Sequence, residues 1–178
     1  MILKITGKHP VARDCVVCGT KNPFSLKSEF FSLENGDIVA IASPEAHHQS
    51  YPGRVHGGVI SALLDETVGR AVNVTEPDTW GVTAELITRY KKPVPYGEKI
   101  YAVGRITSNN RRIFEGEGFI FDKNGNVLAQ AYAKYMKLSL SSIAEGEDTG
   151  DINNLILKDS DPAELDIPEF PKYIKKER

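Results

Sequence analysis

The stretch "YPGRVHGGVISALLDETVGRAV", residues 51–72, limits what this chain can become more than any other segment. Val59, Ile60, Ala62, Leu63, Leu64, Val68, Ala71 and Val72 spread around most of a helical circumference. A helix apolar nearly all round is a buried one, so the spacing predicts a helix from about Gly57 to Asn73 that something must wrap. Yet the segment opens on a bare Gly57-Gly58 pair and carries Asp65 in its middle. Glycine costs roughly 1 kcal/mol per helical position, and a carboxylate is among the last groups expected in a core. Both need a reason.

The wrapping material is β-strand. Leu26–Phe31 and Asp37–Ser43 flank Glu34-Asn35-Gly36-Asp37, whose Asn-Gly pair predicts a type I′ hairpin turn. Residues 44–55 read as a loop holding His47, His48, Pro52 and Gly53. Beyond the helix, Val82–Tyr90 reads as a strand with Val82, Ala84, Leu86 and Tyr90 on one face. Strands at about 99–108, 111–122 and 127–138 follow, joined by Ser108-Asn109-Asn110 and by Lys123-Asn124-Gly125-Asn126. Long neighbours joined by tight turns make an antiparallel meander, and one long helix against roughly six such strands is an α+β fold. Residues 1–24 read as an irregular or short helical lead-in, 25–140 as the domain, and 141–178 as a polar, proline-bearing tail. That tail either packs on the surface through Ile167, Phe170 and Tyr173 or stays mobile.

At 178 residues the chain can bury a sizeable core as one domain. Its formal charge of -2 argues against nucleic acid or an anionic membrane as the main partner. No apolar run approaches the roughly 20 residues that span a bilayer, and MILKITGKHP lacks a signal peptide's apolar stretch, so a cytoplasmic location is expected. The only cysteines, Cys15 and Cys18 in "CVVCG", have no second pair at ligand spacing. They make half a zinc site that His9 or another subunit would complete, or simply two small residues in a turn; a reducing cytoplasm disfavours a disulfide. The turn is the expectation, with no metal and no cofactor.

The glycines and Asp65 fit two halves of a reaction. The first N–H groups of a helix lack intrahelical partners and sit at the positive end of its dipole. Without side chains there, a ligand oxygen can approach them, as in an oxyanion hole. Glu66 has Arg70 four residues on, a favourable helical ion pair, but Asp65 has only Val68 and Gly69 at those positions. Asp65 is then either a solvated surface residue or a working carboxylate in a poorly solvated place. His56 and Asp65 are nine residues apart, so along a helix they stand about 13–14 Å apart and point to opposite sides. One helix cannot bring its own Asp65 to a carbonyl bound at its own glycines, whereas two antiparallel helices from two subunits can. If the chain is an enzyme, the spacing asks for a dimer.

"HGGVISALLDETVG" followed by "VTAELITRYKKPVPYGE", with "CVVCGTKNPFSL" upstream, resembles the hotdog-fold acyl-CoA thioesterases of the phenylacetyl-CoA and "thioesterase superfamily member 4" types. The resemblance covers about residues 13–140 and implies a hotdog fold, one long central helix wrapped by a five- to six-stranded antiparallel sheet. It implies hydrolysis of an acyl-CoA to free acid and CoA by a homodimer that pairs into a dimer of dimers. Gly57 or Gly58 would donate an N–H to the thioester carbonyl, with His56 shaping the helix entrance. Asp65 of the partner subunit would be nucleophile or general base, and Thr83 would hold the attacking water or the aspartate. Gln49 or Ser50 stands where an Asn or Gln commonly contacts the carbonyl or water. Lys91, Lys92, Arg111 and Arg112 could meet the CoA phosphates or simply be solvated strand ends. Two rivals stay open: a non-catalytic acyl-CoA-binding hotdog protein, and a hotdog enoyl-CoA hydratase or dehydratase using His47, His48 or His56.

Overall fold

The computed structural model describes residues 1–146, 152–153 and 157–169. The apolar-rich segment forms helix α1 (Gly57–Arg70) and tightens into a 3-10 turn over Ala71–Val74. Eight strands make one antiparallel sheet against it: β1 (Ile2–Lys8), β2 (Glu29–Leu33), β3 (Ile38–Ala42), β4 (Trp80–Tyr90), β5 (Ile100–Asn109), β6 (Ile113–Asp122), β7 (Val127–Leu138) and β8 (Glu164–Asp166). Their order is β8-β1-β2-β3-β5-β6-β7-β4, so β4 closes one edge. One long helix on a large antiparallel sheet is the α+β hotdog architecture the sequence predicts, with two strands more than six.

Those two come from outside the predicted meander. β1 lies in the stretch read as an irregular lead-in, where Leu3 and Ile5 alternate over too few residues to stand out. It pairs with β2 on one side and β8 on the other. Ile167, just past β8, is buried with Leu3, Phe31, Val103 and Phe121 on the sheet face away from the helix. Phe170 and Tyr173 lie outside the described residues.

Ile60, Leu63, Leu64, Thr67 and Val68 turn α1 onto the sheet. The approach is close because three glycines lie beneath it. A Cβ on Gly104 would stand 2.8 Å from the Thr67 carbonyl oxygen, and one on Gly116 or Gly118 would stand 2.6 Å from a Val68 methyl. The helix is not wrapped on every side, however. Val59, Ser61, Ala62, Asp65, Glu66 and Gly69 are only half-buried, and of these Ser61 and Asp65 meet the edge strand.

The first hairpin also differs from expectation. Gly36 has φ +86°, but Asn35 does not share a positive φ as a type I′ turn requires. Gly36 N–H donates to Leu33 O (3.0 Å) and Leu33 N–H to Asp37 O (2.8 Å), a type I turn closed by a left-handed glycine. The extra turn residue shifts the pairing by one, setting Ser32 rather than Leu33 opposite Ile38, and leaves Asn35 unstrained.

Candidate active site

β4 meets α1 through two clusters of polar groups, one at each end. The first surrounds Asp65. Thr83 Oγ1 lies 2.9 Å from Asp65 Oδ1 and 3.1 Å from Oδ2, and donates its proton there. Tyr135 O–H donates to Asp65 Oδ1 (3.1 Å) and to the Asp65 backbone carbonyl (2.9 Å). Oδ2 is thus the less occupied oxygen, with lone-pair capacity left for a further donor. Burial pushes the Asp65 pKa above the usual 3.8; the Thr83 and Tyr135 bonds pull it down, and the Glu66 charge pushes it up. A pocket of about 130 Å³ opens beside it, lined by Asp65, Glu66, Arg70, Trp80, Thr83 and Tyr135 among others.

Thr83 reaches the carboxylate because β4 carries an irregularity. Tyr135 pairs with Thr83 and Lys134 with Glu85, so Ala84 is an extra residue on the β4 side. Such a bulge re-aims side chains. Strict alternation would set Thr83 opposite to Leu86; with Ala84 bulged, Thr83 faces the helix and so do Leu86, Thr88 and Tyr90. The single-face set Val82, Ala84, Leu86 and Tyr90 is therefore corrected: Val82 and Ala84 are exposed.

The second cluster lies at the start of α1. His56 is its N-cap: the ring Nδ1 accepts the Gly58 N–H (2.9 Å), while Val59 and Ile60 N–H donate to the His56 carbonyl. His56 N–H itself donates to His48 O. Among the described residues this leaves the Gly57 N–H without a protein acceptor, so geometry separates the two glycines that spacing could not. A chain of hydroxyls lies against it. Tyr90 O–H donates to Gly57 O (2.9 Å), Ser61 Oγ is 2.7 Å from the Tyr90 hydroxyl, and Ser61 donates to Thr88 Oγ1 (3.1 Å). A Cβ at residue 57 would rest 3.4 Å from the Tyr90 ring, over the approach to that N–H.

The remaining candidates scatter. Gln49 and Ser50 are exposed on a short strand, Gln49–Tyr51, that pairs with Arg54–Val55 on the way into the helix. Lys91 and Lys92 follow β4 and donate their backbone N–H groups to Leu128 O, near the start of β7. Arg111 and Arg112 sit in the β5–β6 turn, where Arg112 O meets Lys137 N–H near the end of β7. Nine residues of strand, roughly 30 Å, separate the two basic pairs, so they do not converge within one chain. The histidines expected of a hydratase are otherwise engaged: buried His48 accepts from Glu45 N–H at Nδ1 and faces Phe24 O at Nε2, and the His47 ring lies tilted against it. Tyr135, Ser61 and Thr88 went unmarked in the sequence. Tyr135 sits in a predicted strand 70 residues from Asp65 and only the sheet register brings them together.

The thioesterase superfamily profile matches residues 52–129, which hold the helix-start cluster and Asp65 with Thr83, but not Tyr135. Among solved structures, a thioesterase superfamily protein shares 30% identity at a TM-score of 0.63, covering 70% of this chain; the chain spans 60% of that protein's length. The Escherichia coli PaaI protein from the phenylacetic acid degradation operon is 17% identical, with a TM-score of 0.58 over 64% of this chain and 81% of its own. A Streptococcus mutans protein bound to acetyl-CoA is 20% identical, with a TM-score of 0.57 over 63% of this chain and 89% of its own. No curated protein matches the chain. Among the described residues, no helix is long and apolar enough to cross a membrane. Residues 52–129 thus match the thioesterase superfamily, and the chain as a whole has the hotdog architecture of the thioesterases it resembles.

Proposed function

We propose that this chain hydrolyses an acyl-CoA thioester at a site built by two subunits, the Gly57 end of one helix facing Asp65 of the partner subunit. The observation carrying this is the division of labour along α1. The free N–H at Gly57 and the carboxylate of Asp65 lie eight residues apart, about 12 Å along the helix. Both face the half-buried side of α1, next to an edge strand whose outer edge has no neighbour among the described residues. A second copy laid antiparallel would cover that side and complete two sites at once.

In this mechanism the thioester carbonyl oxygen takes the Gly57 N–H at the positive end of the helix. Asp65 of the partner subunit removes a proton from a water held at Oδ2, and the water oxygen bonds to the carbonyl carbon. The resulting oxyanion is held by Gly57. Collapse breaks the C–S bond, and the proton on Asp65 passes to the departing CoA sulfur, leaving free acid, CoA and the original carboxylate. Thr83 fixes the plane of the carboxylate throughout. The S. mutans relative bound to acetyl-CoA supports a CoA thioester as the ligand class.

The test is release of free CoA thiol from a panel of short, long and aromatic acyl-CoAs. Wild-type chain should turn over at least one of them, and Asp65→Asn should be slower by at least about 100-fold, the scale of losing a general base. Intact acyl-CoA bound without thiol release across the panel would refute hydrolysis.

A further inference from the structure

The loop between β1 and β2 folds with a tight knuckle at Cys15–Gly19. Cys15 Sγ accepts the backbone N–H groups of Val17 (3.3 Å) and Cys18 (3.4 Å), and Gly19 N–H donates to Cys15 O (2.9 Å). A Cβ at residue 19 would collide with Cys15 O and stand 2.8 Å from Cys15 N, so only glycine closes the turn. Lys27, held at φ +52°, fastens the loop from its other end by donating Nζ to the carbonyls of Gly19, Thr20 and Asn22. The construction aims both sulfurs at helix α1. There Glu66 supplies a carboxylate oxygen, and the two sulfurs and that oxygen all lie within 4.8 Å of one another.

We propose that Cys15, Cys18 and Glu66 form a binding site for a thiophilic divalent cation of the zinc class, tying the loop to α1. Zn–S bonds of about 2.3 Å and Zn–O bonds of about 2.0–2.2 Å need ligand atoms within about 4 Å of each other, a small contraction of the cluster. Charge closes as well: two thiolates and one carboxylate are met by the ion's two charges and by the Arg70 guanidinium. Arg70 donates Nε (2.9 Å) and Nη2 (2.7 Å) to Glu66 Oε1, leaving Oε2 for the ion, and Nη2 lies 3.4 Å from Cys18 Sγ. Its remaining bond, to Pro10 O, and its stacking over Phe30 fix it in place, so it orients the carboxylate as an outer partner. His9 does not join the set: neither ring nitrogen lies within the cluster, and its Nε2 is engaged with Ser32 Oγ at 2.7 Å. The fourth position takes water. Binding releases the thiol protons to solvent. The site needs no thioester hydrolysis and is tested without it.

The full chain, kept reduced by a phosphine and freed of metal by a chelator, is titrated with Co²⁺. One equivalent should give near-ultraviolet thiolate-to-cobalt charge transfer and intense visible bands of a four-coordinate ion, and Zn²⁺ should abolish both. Cys15→Ser should weaken binding by at least about 100-fold and Glu66→Gln by about 10- to 100-fold. Alkylating Cys15 in the folded wild-type chain removes the same ligand without relying on a variant's folding. Wild-type spectra no different from those of the alkylated chain would overturn the site, and unaltered affinity in Glu66→Gln would overturn the three-ligand set.

Discussion

Asp65 is pulled in two directions. Burial favours its protonated form, while the hydroxyls of Thr83 and Tyr135 favour the carboxylate. Its net pKa lies above the unfolded value near 3.8, so the folded state holds the proton more tightly, and Asp65 detracts from stability as pH rises past that value. Asp65→Asn, inactive in the proposed mechanism, should therefore unfold at pH 7 no earlier than wild type; a loss above about 2 kcal/mol in urea would contradict this. Tyr135→Phe removes one donor from Oδ1. Its turnover should fall by roughly tenfold, the scale of one hydrogen bond, and the acid limb of its pH–rate profile should move to higher pH. An unmoved acid limb would leave Tyr135 merely structural. His9 titrates with the opposite sign. Burial, aided by the Arg70 charge, lowers its pKa from 6.5 to about 4. Its neutral form stabilises the fold fully above pH 6.5, and about 3 kcal/mol should be lost between there and pH 4. His9→Gln should flatten that part of the stability–pH curve; an unchanged slope would assign the loss elsewhere.

At the scale of elements, the α1–sheet contact depends on glycines with no room above them. Gly104→Ala would push a methyl against the Thr67 carbonyl, a backbone atom that cannot step aside. Overpacking of this kind should cost about 1–3 kcal/mol, read as a lower urea midpoint; a neutral result would mean that the helix shifts freely on the sheet. Helix α1 and the six strands of the meander were legible because each carries its own period over ten residues or so, or ends in a Gly-bearing turn. β1 and β8 were not, since seven- and three-residue strands owe their existence to the partners they pair with. The bulge at Ala84 was equally hidden: alternation assigns faces by counting, and one inserted residue reverses the count. Asp65, Gly57 and Thr83 could be named from local oddities and resemblance. Tyr135, Ser61 and Thr88 could not, because a Tyr, Ser or Thr in a regular element carries no local signal until register sets it beside its partner.

For the whole molecule, the sheet is well covered on both faces at its centre but not at the β4 edge. The helix face carrying Ser61, Ala62 and Asp65 is half-buried beside that edge, and Val82, Tyr90, Met136 and Leu138 are exposed near it. In the proposed mechanism a second copy covers that surface, and each reaction draws one half from each chain. Mixing two inactive variants tests this most directly. Asp65→Asn lacks the base, and Gly57→Val blocks the N–H while leaving Tyr90, itself 54% exposed, free to swing aside. After subunit exchange at equal amounts, about half the dimers are mixed, and each mixed dimer holds one site with both lesions and one with neither. With exchange verified by mass-tagged chains and folding by circular dichroism, about a quarter of wild-type activity should return. No recovery at all would contradict the shared site, because a site built within one chain always carries a lesion.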